Sequence, residues 1–413
     1  MRGHIRKRGK QGYEYIIDIG PHPAQRCQSC SKRFWVERRP KRSCPRCGGE
    51  LSEVEERRRE TKAGFRTLTE AQQAMSKALT AVAEQRHVIA TPVSVAEFLI
   101  DVWLPAIMPT VRPTTHAGYR SACLRHVCPR LGQVKLQRLD GAMLNSLYAH
   151  LSKAGGIRRE GGLAPRSVAL VHRTLHRALA DAVRWGYLPY STADRADPPR
   201  QTGLERELPV WSEEQLHSFL DSVREERLYP LWRFLSMTGC RRGEALGLQW
   251  RDLDMESSRV AIRRALIPID GKLLVSEPKT KRGRRLIALD QETLAVLREQ
   301  AACQLSEERL WGEGWVSSGY VFTKESGEPL HPERISALFG RLVRRACLPK
   351  IPLHGLRHTY ASLALAKGVN PLIVSRRLGH STVAFTLDVY SHVLPQVDAE
   401  AAELIAGISP RLS

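Results

Sequence analysis

The sequence predicts a multidomain, mainly α fold carrying small β-sheets. Three observations predict it. Apolar residues recur at helical spacing over most of the chain from residue 92 onward. Strand-like runs are short and lie near the N-terminus and between residues 259 and 289. Composition shifts at Thr91-Pro92 and in the turn-rich stretch STADRADPPRQTGLERELP, which divides the chain into parts of 1–90, 92–200 and 207–413. Each part is long enough for its own core.

The first part opens with IRKRGKQGYEYIIDIG, whose alternation suits a strand, and resumes with ETKAGFRTLTEAQQAMSKAL, which ends as a helix. Between them stand Cys27-x-x-Cys30 and Cys44-x-x-Cys47, separated by 13 residues. Two such pairs fit a tetrahedral zinc site of four cysteines. That site is structural, because four thiolates leave no position open to substrate. Small residues in CPRCGG let backbone amides approach the sulfurs. A redox pair or an iron site is the alternative. This part is expected to be a small β-rich domain with a zinc-ribbon-like insertion at 27–47.

The middle part reads as all-helical. SVAEFLIDVWLPAI, RPTTHAGYRSACLRHV, DGAMLNSLYAHLSK and PRSVALVHRTLHRALADAVRWGYL each space apolar residues for one helical face, and the basic break AGGIRREGGLAP splits them into two pairs. The turn formers and charges of residues 191–209 predict an exposed linker. The last part opens with a capped helix, Ser212 preceding Glu213, Glu214 and Gln215, then Leu216 and Leu220. RVAIRRAL, KLLVSE and RRLIAL follow as strands, with Asp270-Gly271 and Arg282-Gly283 as turns. Helical periodicity then runs to the tail QVDAEAAELIAGIS, apolar on one face.

Charge narrows the partner. Lys and Arg number 64 against 43 Asp and Glu, a net charge of +21. Such a balance favours a polyanion, since each neutralised phosphate releases counterions. Nucleic acid leads. An anionic membrane comes second, without a lipidation motif or basic amphipathic anchor to support it. No run approaches the roughly 18 apolar residues of a membrane span. No hydrophobic region follows the basic MRGHIRKRGKQG, as a signal peptide would require. A cytoplasmic, nucleoid-associated protein is expected. Nine cysteines, an odd number, argue against a secreted disulfide framework.

Five short motifs carry chemistry. Arg241 sits in TGCRRGEALGL and Lys279 in EPKTKRGRRLIAL. His354-Gly355-Leu356-Arg357, Leu378-Gly379-His380 and Tyr390 in TLDVYSHV complete them. A phosphodiester repels nucleophiles until cations sit on its non-bridging oxygens. Arginine suits that role, being permanently charged and able to donate two parallel bonds. In so basic a chain a single arginine is ordinarily a solvated charge. Arg357 escapes that by lying one helical turn from His354, and Arg241 by its apolar flanks, with Arg242 its rival. A lysine at 279, or at its rival 281, can protonate a leaving oxygen. His354 and His380 can donate hydrogen bonds or move protons near neutrality. His358 lies about 100° from Arg357 on an ideal helix and reads as structural. Tyr390 is a phenol that neighbouring cations would favour as phenolate.

This ordered set, across residues 207–395, resembles the catalytic domain of the tyrosine recombinases, the phage integrase family. The family pattern Thr-Gly-x-Arg selects Arg241, and the family's β-hairpin lysine selects Lys279. The resemblance implies cutting and rejoining of DNA through a 3′-phosphotyrosyl link to Tyr390, with no catalytic cofactor. It implies att-type duplex DNA sites, a homotetramer at synapsis, and an excisionase or DNA-bending protein as accessory. It makes 92–200 a helical core-binding (SAM-like) domain, and 1–90 similar to an arm-type DNA-binding domain. The tail docks on a neighbouring subunit by that analogy, or packs on its own domain. A type IB topoisomerase-like nicking-closing enzyme and a DNA-binding regulator with a recombinase fold are the alternatives.

Overall fold

A computed structural model describes residues 3–8, 12–36, 41–84, 88, 92–156, 161–199, 209–277, 283–380 and 382–389. The chain divides into two compact units, 1–201 and 202–413.

The first unit begins with an antiparallel sheet. Its strands are β1 (Gly3–Lys7), β2 (Tyr13–Cys27), β3 (Arg33–Trp35) and β4 (Leu51–Phe65). β4 pairs along the whole of β2, while β1 and β3 occupy successive stretches of the other edge. Near the pairing of β1 the sheet is three strands wide and backed by α1 (Leu68–Ala83), which a Thr67–Glu70 capping box starts. Tyr15, Ile17 and Ile19 bury against Met75, Ala78, Leu79 and Val82 of that helix. β3 is an addition to the sequence expectation. β2 and β4 run on past the helix, and their far end carries the cysteines. A register shift at Asp18/Gly20 bends the ribbon there. Gly20 takes φ 91°, and its N–H donates to Asp18 Oδ1 at 3.0 Å.

A second core in this unit is helical. A π-helical segment Glu97–Trp103 leads into α2 (Leu104–Ile107); α3 (Pro113–Ala122) leads through a π-helical segment Cys123–Val127 into α4 (Cys128–Leu131). Both π segments run up to a proline, Pro105 and Pro129. The wider turn re-pairs carbonyls that a proline without an N–H would orphan. α5 (Gly141–Ala154) is N-capped by Asp140, and α6 (Pro165–Arg184) follows. Buried Asp181 on α6 accepts from Trp103 Nε1 at 2.9 Å and pairs with Arg177 and Arg184. This bond joins the first and last helices across the core. The linker expectation fails over its first residues. Thr192–Arg195 form a 3-10 turn, and Ala193 and Ala196 are core members. Small apolar residues among turn formers pack as readily as they hydrate, and the Asp197 N–H donates to Asn145 Oδ1 at 2.8 Å. Residues 200–208 lie outside the described residues.

The second unit begins with α7 (Glu213–Ser222), whose Ser212–Gln215 capping box is present. α8 (Tyr229–Thr238), α9 (Arg242–Leu246) and β5 (Leu253–Asp254) follow. Next come β6 (Arg259–Ile262), β7 (Ala265–Ile269), β8 (Lys272–Ser276) and β9 (Arg285–Ala288). RVAIRRAL is thus two strands. β6 joins a β5-β6-β9 sheet, and β7 turns away to pair with β8. The break falls at Arg264, whose guanidinium bonds buried Asp252. The β7–β8 turn takes positive φ at Asp270 (51°) and Gly271 (76°), as a tight hairpin requires. The remaining helices are α10 (Gln291–Trp311), α11 (Pro332–Arg345), α12 (Gly355–Ala366), α13 (Pro371–Leu378) and α14 (Val383–Val389). Trp211, Phe219, Trp232 and Phe339 pack together in tilted and edge-on contacts within the core. Each such buried ring contributes about 1.5–3 kcal/mol. No helix among the described residues is long and apolar enough to cross a membrane.

Candidate active site and metal centre

The site of the second unit starts at the end of α8. Gly239 closes that helix at φ 62°, and a Cβ there would lie 2.6 Å from both Leu378 Cδ2 and Tyr360 Cδ1. Only a glycine lets α8, α12 and α13 meet so closely. The chain then turns into α9, which Arg241 caps. Its N–H donates to Glu244 Oε2 at 3.0 Å and its Nη1 to Oε1 at 2.8 Å. The Arg241 side chain stays 44% exposed. Arg242 diverges, its Nη1 donating to Ser336 Oγ on α11 at 2.5 Å. The two rival arginines of the motif therefore serve different surroundings.

Arg357 comes from the first turn of α12 and is 3% exposed. Its Nη1 donates to the Gly239 carbonyl at 2.9 Å. Its Nη2 is buried with no hydrogen-bond partner among the described residues. Burial, then the charge of Arg241, pushes this guanidinium down to about 10. Glu244 is the opposite case. Burial alone would raise it, but Arg285 and Arg241 hold it at about 2. One carboxylate thus sits among three guanidinium groups, and the cluster keeps a net positive charge.

The histidines ring this cluster. His380 follows the left-handed Gly379 (φ 70°), is 8% exposed, and pairs through Nδ1 with Thr386 Oγ1 at 2.8 Å. Burial, then Arg357 and Arg241, pushes it down to about 3. His354 keeps an exposed edge. Partial loss of hydration, then His358, Arg357 and Arg241, still lowers its imidazole. His358 is less detached than its angle from Arg357 implied. It lies one turn after His354, and the two rings meet edge-on at 4.8 Å.

The structure therefore brings Arg241, His354, Arg357 and His380 together. Lys279 and Tyr390 lie outside the described residues, as does the tail; α14 ends at Val389. Sequence reasoning passed over Arg285 and Thr386. A signal for Arg285 existed. Strand alternation puts it on the face of Ile287, which is fully buried, so a charge falls where an apolar residue is expected.

The cysteines of the first unit also converge. The sulfurs of Cys27, Cys30, Cys44 and Cys47 all lie within 4.8 Å of one another, with Cys27–Cys47 at 3.4 Å and Cys30–Cys44 at 3.6 Å. Zinc–thiolate bonds of about 2.3 Å imply sulfur separations of about 3.8 Å in a tetrahedron, so the donors fit a metal. The two turns are copies of each other. Cys27 N–H donates to Lys32 O and Ser31 N–H to Cys27 O, both at 2.9 Å. Cys44 N–H donates to Gly49 O at 2.9 Å and Gly48 N–H to Cys44 O at 2.8 Å. Ser31 (φ 53°) and Gly48 (φ 72°) hold the matching left-handed position. The N–H of Cys30 approaches Cys27 Sγ at 3.4 Å, and leads the effects that lower that thiol to about 6.

Residues 210–396 match the model of the phage integrase family. A tyrosine recombinase XerC-like protein of Caldanaerobacter subterraneus is 30% identical over 214 residues. That match covers 49% of this chain and only 55% of the relative's own length. The ICEBs1 integrase of Bacillus subtilis is 24% identical over 314 residues, 74% of this chain and 81% of its own. A solved structure of the Tn1549 transposon integrase in complex with circular intermediate DNA shares the fold. Its TM-score is 0.60 at 22% identity, over 76% of this chain and 99% of that one. The arginine and histidine motifs, the geometry that gathers them and these likenesses agree: residues 210–396 match the phage integrase family, and the fold is that of the solved integrase.

Proposed function

We propose that this chain is a site-specific DNA recombinase, an integrase of a phage or other mobile element. It cuts and rejoins duplex DNA through a 3′-phosphotyrosyl intermediate. The observation that carries this is the buried Nη2 of Arg357, unpaired among the described residues, amid Arg241, His354 and His380. A buried donor left unmade is costly, and a phosphate oxygen is the ligand that suits a guanidinium best.

Arg241 and Arg357 donate to the non-bridging oxygens and hold the charge that builds on phosphorus. The Tyr390 oxygen bonds to phosphorus while the bond to the 5′ oxygen breaks. Lys279 gives that oxygen its proton. His354 and His380, neutral at pH 7, can donate to phosphate or accept the phenol proton. Attack by a 5′ hydroxyl on the phosphotyrosine reverses the step, so rejoining needs no ATP. The arginines fill the role a divalent cation takes in other nucleases.

Residues 1–90 serve as an arm-type DNA-binding domain, 92–200 as the core-binding domain and 207–413 as the catalytic domain. The separate apolar cores of the sheet and the helical bundle support the first division. Zinc is the metal of Cys27, Cys30, Cys44 and Cys47, where it stiffens the far end of the β2–β4 ribbon. The net charge of +21 supports att-type duplex DNA as substrate, as does the DNA held by the Tn1549 integrase. A homotetramer at synapsis, an excisionase or DNA-bending accessory and a cytoplasmic, nucleoid-associated location complete the proposal. The Tyr390→Phe chain tests it on a nicked suicide duplex carrying its site. DNA binding should persist and covalent adducts should vanish; adducts that remain would move the nucleophile elsewhere.

A further inference from the structure

We propose that Arg285 is a positioning residue for phosphoryl transfer, acting through Glu244 on Arg241; this rests on the recombinase activity proposed above. Arg285 opens β9, and its side chain is 6% exposed. All three of its nitrogens are engaged. Nε donates to the carbonyl of Arg377, and Nη1 to the carbonyl of Gly283 at 3.2 Å. Nη2 donates to Glu244 Oε2 at 2.8 Å and lies 3.8 Å from Cys240 Sγ. Arg357 keeps a buried donor for a ligand, whereas Arg285 spends its donors within the protein.

The bond to Glu244 matters most. Glu244 Oε2 accepts from Arg285 and from the Arg241 backbone, and its Oε1 accepts from Arg241 Nη1. The carboxylate can aim Arg241 only if its own rotation is fixed, and Arg285 is what fixes it. Its charge also keeps Glu244 ionised, so that the carboxylate accepts rather than donates. The bond to the Arg377 carbonyl ties the same guanidinium to the last turn of α13, two residues before Gly379 and three before His380. One buried side chain therefore sets β9, α9 and the end of α13 against each other. A buried ion pair is a poor source of stability, since desolvation offsets its attraction. Its value here is the orientation of a neighbour that meets substrate.

A double-mutant cycle on the full chain tests this, reading single-turnover adduct formation on a suicide duplex at saturating enzyme. Arg285→Met should slow adduct formation at least about thirtyfold while DNA affinity changes less than about threefold, because only charge placement at phosphorus is lost. Adding Arg285→Met to Arg241→Ala should slow it no more than about twofold further, since the residue through which Arg285 acts is gone. Arg285→Lys should recover part of the rate, a lysine retaining the charge on Glu244 without the second arm. The cycle is run with Arg285→Lys if the methionine chain does not fold. Penalties that add, or an unaltered rate in the folded variant, would overturn the role. Failure of the unaltered chain to form any adduct would instead overturn the recombinase activity itself.

Discussion

Two neighbouring arginines show how much a single position decides. Arg241 and Arg242 have the same chemistry and adjoin in sequence, yet one caps α9 beside Glu244 and the other bonds Ser336. Arg357→Ala and Arg241→Ala should each reduce adduct formation by about 10²-fold or more, as removal of a transition-state donor does. Arg242→Ala should cost less than about tenfold, under about 1.4 kcal/mol. A quenched single-turnover assay separates them, and equal losses would reverse the assignment. The buried histidine adds a stability prediction. His380 is lowered to about 3 in the folded chain against about 6.5 unfolded. Below pH 6.5 the unfolded chain therefore binds the extra proton, and stability falls as pH falls toward 3. From pH 7 to 5 the loss from His380 alone is about 2 kcal/mol. Glu244, lowered to about 2, stays ionised across that window and holds its contribution until stronger acid. Urea unfolding at the two pH values checks this, and His380→Asn should reduce the difference by about that amount, leaving the share of the lowered His354.

At the scale of elements, termini and turns do the positioning. Gly239 closes α8, Arg241 caps the start of α9, His354 precedes α12, and Gly379 closes α13 before His380. Site residues thus cluster where helices stop, and rigid helix bodies fix those ends. The capping box at Ser212 was legible because capping is local chemistry. The split of RVAIRRAL was not, because it depends on Asp252, which approaches only in three dimensions. The cysteine turns were legible as pairs, since two i,i+3 cysteines need one short turn each. Their matching backbone bonds appear only in the fold. Zinc analysis of the full chain should find about one ion per molecule, held by four thiolates. Chelation should release it and lower the melting temperature of the N-terminal part while cleavage at a core site continues. No zinc by elemental analysis would leave the four thiols without that role.

For the whole molecule, the net charge of +21 predicts a phosphate-dominated interaction. DNA affinity should fall linearly on a log–log plot against salt. With about six to ten phosphates contacted, the loss between roughly 50 and 200 mM is about 10³-fold or more. Fluorescence anisotropy at several salt concentrations measures the slope, and a flat response would exclude extensive contact with the DNA backbone.

By itself the sequence determined the family likeness of residues 210–396, the helical middle, the cysteine pairs and four of the residues that the fold gathers, because each of these is written in local spacing or in a short motif. Only the tertiary structure decided that Arg242 leaves the site, that Ala193 and Ala196 join a core, and that Glu244 and Arg285 stand behind Arg241. Such roles depend on which groups meet across tens of residues, and on which of those groups lose their water. Periodicity records the face a side chain takes, but not the partner that waits there.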